Sequence, residues 1–120
     1  MESTVDSIAS MSSLTKVQLE TLKIHLALKN HEITMQEALQ KRKDSGISRG
    51  THYRVLGQAK NNVRRSLLTV VVAAQMGLIK PEELQKLVAT VSMIPQNVDS
   101  SRLAEVLALV DALAERIVML

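Results

Sequence analysis

The stretch Ile33–Leu56, ITMQEALQKRKDSGISRGTHYRVL, decides how this chain reads. Thr34 with Glu37 three positions on is a capping box, the signature of a helix start. That helix carries Ala38 on its inner side and runs to about Lys43. Gly46 supplies the left-handed residue that stops it. Ile47 and Ser48 then open a second helix, with the Ser48 hydroxyl placed to cap it.

Upstream, Thr15 and Gln18 form a second capping box, which predicts a helix from Lys16 to about Lys29. Residues 1–14 are expected as a flexible tail. Met1–Ser13 holds five serines and no Lys or Arg, so it lacks the basic start and apolar run of a signal peptide. Downstream, Val55, Leu56, Ala59, Val63, Leu67, Val70, Val71 and Ala74 recur at spacings of one, three and four, a continuous helical face. Gly57 weakens that face by about 1 kcal/mol against alanine. The run Thr69-Val70-Val71-Val72 has strand propensity. Helix is preferred over 66–74 because no second strand with a hairpin turn follows, and a break near Asn61-Asn62 stays open.

A further helix starts at Pro81, with Glu82 and Glu83 complementing its dipole. Pro95–Ser100 reads as a turn. The last helix runs from about Ser101, and its Leu103, Val106, Val110, Leu113, Ile117 and Leu120 repeat at 3-4-3-4-3, a heptad seam. Pairing between two copies is the preferred use of that seam; burial within one chain is the other. The expected architecture is all-α. Residues 15–78 form its core and 79–120 a C-terminal, dimerising region packed as one domain with it.

Composition narrows the function. Hydrophobic residues make up 46% of the chain, yet Tyr53 is its only aromatic. Helix packing tolerates a core of Leu, Val, Ile, Ala and Met; base-stacking platforms and aromatic-lined pockets do not. There is no cysteine, which removes disulfides, thiolate metal sites and thiol catalysis and fits a reducing cytoplasm. No apolar run is long enough for a bilayer. No phosphate-binding glycine loop, nucleophile elbow or metal-ligand cluster is present, so no catalytic activity, metal or cofactor is expected.

The net charge of +3 is unevenly spread. Lys41, Arg42, Lys43, Arg49, Arg54, Lys60, Arg64 and Arg65 face only Asp44 across 41–65, leaving +7 there, while each flank carries −2. A concentrated positive patch is the footprint of a polyanion binder.

The 33–56 segment resembles the helix-turn-helix superfamily of bacterial and archaeal regulators. The resemblance rests on Ile47, Ser48, Arg49, Gly50, Thr51, Tyr53, Arg54 and Leu56, and on Ala38 and Gly46 before them. Ala38 and Gly46 are eight apart, about one helical turn more than in the shortest motifs of that superfamily. His52 stands where a buried aliphatic is usual. The resemblance implies duplex DNA as partner, with the helix from Ser48 in the major groove. Arg and Gln make paired hydrogen bonds to base edges, so Arg49, Arg54 and Gln58 are expected to touch bases. Lys41, Lys43, Ser48, Tyr53 and Lys60 are expected to touch phosphates, with Arg42 beside them contributing salt-dependent affinity. A homodimer presenting two such helices to two half-sites, associated with the cytoplasmic nucleoid and regulating transcription, completes the expectation.

Other readings fit the same residues. The basic stretch can be a solvated face, Tyr53 can be packing, His52 is expected as half-buried support, and Arg64-Arg65 can pair with acids of the later helices. The chain as a whole can be an architectural, weakly specific nucleic-acid binder, or a helical module for a protein partner.

Overall fold

Local signals set the helix boundaries. The structure, a computed structural model, describes residues 2–118. Helix α1 is Thr4–Ala9, α2 Lys16–Lys29, α3 Met35–Asp44, α4 Arg49–Gln75, α5 Pro81–Ser92 and α6 Ser100–Ile117. The class is all-α. The extended pieces are β1 (Glu2–Ser3) and β2 (Asn97–Val98), which pair antiparallel over two residues each.

Both capping boxes form. Gln18 N donates to Thr15 Oγ1 at 3.1 Å and Thr15 N donates back to Gln18 Oε1 at 3.2 Å. Glu37 N and Thr34 Oγ1, with Thr34 N and Glu37 Oε1, repeat the pair at 3.1 and 3.2 Å. Helices α2, α3 and α4 also end alike, with a left-handed residue whose neighbour bonds back to the last turn. After α3, Gly46 has φ +74°, its N donates to Lys43 O, and Ile47 N donates to Arg42 O at 2.8 Å. Gly77 closes α4 with φ +79° and Leu78 N donating to Ala73 O at 2.9 Å. His31 does the same for α2 at φ 59°, a conformation that costs a non-glycine residue.

Helix α4 is unbroken at Asn61-Asn62 and stays helical through Thr69–Val72. Its hydrogen bonds satisfy the backbone locally, and with no partner strand the β propensity of three consecutive valines has nothing to pair with.

The chain divides into two units, with the division inside α4 at Arg64/Arg65. Ser12–Arg64 is one unit. Its core is Ala38, Val55, Leu56 and Ala59, with Thr21, Arg42 and His52 as buried polar members. Asn62 ties α4 to the start of α2: its Nδ2 donates to Gln18 Oε1 and to Ser13 O, both at 2.9 Å. The other unit joins the N-terminal segment through Met11 to the chain from Arg65 onward, with Ile79, Val98 and Val110 buried.

Two expectations are corrected here. Residues 4–9 are not a loose tail but a helix. Thr4 is buried, its Oγ1 donates to Pro95 O at 2.6 Å, and its N donates to Gln96 O at 2.8 Å. The 95–100 turn is in part a strand, because Asn97 and Val98 supply the backbone partners for Ser3 and Glu2. Neither pairing has a local sequence signal; each joins segments about ninety positions apart.

Candidate nucleic-acid interface

The candidate site is α3, the turn Ser45–Ser48 and the first half of α4. Ser48 caps α4 through its side chain: Thr51 N donates to Ser48 Oγ at 3.1 Å, and Ser48 Oγ donates to Thr51 Oγ1 at 2.9 Å. The Ser48 hydroxyl is thereby committed to the helix. Any phosphate at this end is left to backbone N–H groups of the first turn and the partial positive charge there.

His52, Val55, Leu56 and Ala59 form the buried face of α4. On the opposite side, Gly50, Arg54, Gly57 and Asn61 follow at 4-3-4, all exposed. A Cβ added at Gly50 or Gly57 would meet nothing within 4 Å. These glycines therefore do not relieve crowding inside the molecule; they lower the outer surface of the helix between its polar side chains.

Arg49, Arg54, Gln58, Lys41, Lys43, Tyr53 and Lys60 are all exposed. Among the described residues, Lys41, Lys43, Arg54, Gln58 and Lys60 have no side-chain hydrogen bond or ion pair. The Arg49 guanidinium lies 5.9 Å from the centroid of the Tyr53 ring, which meets the His52 ring edge-on at 5.3 Å. This stack orients Arg49 along the first turn without neutralising it. Arg64 Nη2 donates to Asn61 Oδ1 at 2.9 Å, on α4 itself.

Arg42 is the exception in the basic cluster. It is 2% exposed, and its Nη2 donates to Thr21 Oγ1 at 2.6 Å. It is thus a core residue and adds nothing to the outward charge. One sequence signal points there: Arg42 follows the inner residue Ala38 by four positions, one turn along the same face. Its Nε and the Nδ1 of His52 are buried without a hydrogen-bond partner. His52 is buried, 5% exposed, rather than half-buried. Its pKa lies below the ordinary value because burial disfavours the imidazolium, and the charges of Arg42 and His25 add to that.

The heptad seam of α6 is buried in its own unit at one position. Val110 is buried, and Leu103, Val106, Leu113 and Ile117 are half-buried. Val110 lines an apolar cleft with Ile8 of α1 and Leu87 and Val91 of α5; Leu113 and Ile117 line a second cleft that is largely charged, with Lys80, Glu83, Lys86 and Arg116 around Leu87. Leu120 lies outside the described residues.

No family model, curated protein or solved structure matches this chain. No helix among the described residues is long and apolar enough to cross a membrane.

Proposed function

We propose that this chain binds duplex DNA sequence-specifically, as a transcriptional regulator, through a helix-turn-helix formed by α3, the Gly46 turn and α4. One observation carries the reading. The half of α4 that follows Ser48 buries one face and turns Arg54, Asn61 and two glycines outward on the other, flanked by Arg49, Gln58 and Lys60, on a helix that contains no acid. A groove-sized helix with Arg and Gln on its free face meets the chemistry of base edges. Lys41 and Lys43, in the last turn of α3, supply contacts that follow the phosphates.

The test is selection from random duplexes followed by titration of the enriched site at several salt concentrations. The reading requires an enriched sequence, an affinity that falls steeply with salt, and a loss of preference in Arg54→Ala. Salt-dependent binding to all duplexes alike would replace it with an architectural role. No binding even at low salt would leave α3 and α4 as a solvated basic surface.

A further inference from the structure

The second half of α4 carries an apolar surface that its own unit leaves uncovered. Leu67, Leu68, Val71 and Val72 are 63%, 49%, 48% and 55% exposed. All four belong to one unit, and together they cover two turns of one helix side. Contiguous aliphatic surface of this kind marks an association site. On α6, by contrast, Val110 is buried, in a cleft shared with α1 and α5.

We propose that this stripe pairs with the same stripe of a second copy, antiparallel, to make a homodimer. The spacing argues for it. The four positions follow at 1-3-1, a pattern that reads the same from either end about the midpoint between Thr69 and Val70. A two-fold axis through that midpoint sets Leu67 opposite Val72 of the second copy and Leu68 opposite its Val71, so each apolar residue meets an apolar residue of the other chain. That self-complementarity is what an isologous contact needs. The charges argue for the same direction. Arg65 stands just before the stripe, and α4 has no basic residue in its last turn and no acid anywhere. Antiparallel pairing lays Arg65 beside the carbonyl end of the opposite helix, where a cation is favoured. Parallel pairing would set Arg65 against its own copy.

The proposal does not depend on DNA binding, and its test uses none. Sedimentation equilibrium of the full chain should give a dimer in the micromolar range. Leu68→Glu and, separately, Val71→Lys should each weaken self-association at least about tenfold with the far-ultraviolet helical signal unchanged. Leu68→Ala, which places the best helix former at the position, should weaken it in the same direction even if the charged variants lose structure. Mixing Leu68→Glu with Val71→Lys protein should restore a dimer, because each new charge then faces its opposite across the axis. A monomeric wild type would overturn the proposal. So would full self-association of Leu68→Ala, or a mixture of well-folded charged variants that stays monomeric.

Discussion

Arg42 Nη2 and Thr21 Oγ1 are 2.6 Å apart in the buried centre of the unit formed by α2, α3 and the first half of α4. The Thr21 hydroxyl in turn donates to Val17 O at 2.8 Å. A guanidinium that no carboxylate among the described residues balances is thus held by a single hydroxyl from the facing helix. Removing the hydroxyl strands a buried cation, and Thr21→Val should cost about 2 kcal/mol in urea unfolding. Replacing the cation by an unbranched apolar side chain removes the need for the bond. Arg42→Met should leave stability unchanged or raise it. A large loss in Arg42→Met would mean that the guanidinium contributes more than its desolvation costs.

His52 makes that unit sensitive to acid. Its folded pKa lies below the unfolded value of 6.5, so the unfolded chain takes up the proton first. Its contribution to stability is therefore complete above about pH 6.5. It is lost as the pH falls through the lowered folded value. The sign is that of a buried neutral histidine beside a cation, opposite to one paired with an acid. Denaturation midpoints of wild type and His52→Gln should diverge across this window, with the wild type falling more steeply. Parallel curves would refute the assignment.

The two left-handed turns before α4 make opposite predictions. His31 occupies φ 59° at the end of α2. His31→Gly should relieve that conformation and raise stability by about 1 kcal/mol. Gly46 stands at φ +74°, and a methyl group there would meet nothing within 4 Å, so a substitution suffers only the backbone penalty. Gly46→Ala should lower stability by about 1 kcal/mol. Thermal unfolding of both variants checks the pair, and equal shifts of the same sign would contradict it.

On the proposed interface, Arg54 and Lys60 should behave differently. Arg54→Ala should cost roughly 1–3 kcal/mol on a selected site and relax the preference at one position. Lys60→Ala should weaken all duplexes alike and reduce the salt slope by about one. Binding isotherms on selected and scrambled duplexes at several salt concentrations separate the two roles. Identical behaviour of both variants would argue that the face is read only as charge.

Much of the fold was legible because its signals are local. Thr15 with Gln18, Thr34 with Glu37, and Gly46 and Gly77 after their helices each act within about five residues, the reach of a helix cap, so the string of residues carries them. The exposed positions Arg49, Arg54, Gln58 and Lys60 follow from helical periodicity once the buried face is placed. Arg42 did not follow from charge, because a lysine on either side masked an inner register that only Ala38 betrays. Thr4 and Val98 had no readable signal at all.

An all-helical chain, the ends of its helices and a basic middle were fixed by the order of residues, because capping, periodicity and charge density are properties of neighbours. Packing in three dimensions settled the rest: Arg42 turns inward to Thr21, the first helix binds the carbonyl of Pro95, and Val110 of α6 is buried while Leu67, Leu68, Val71 and Val72 of α4 are exposed. Those outcomes depend on which distant surfaces exclude water from one another, and separation along the chain does not encode that.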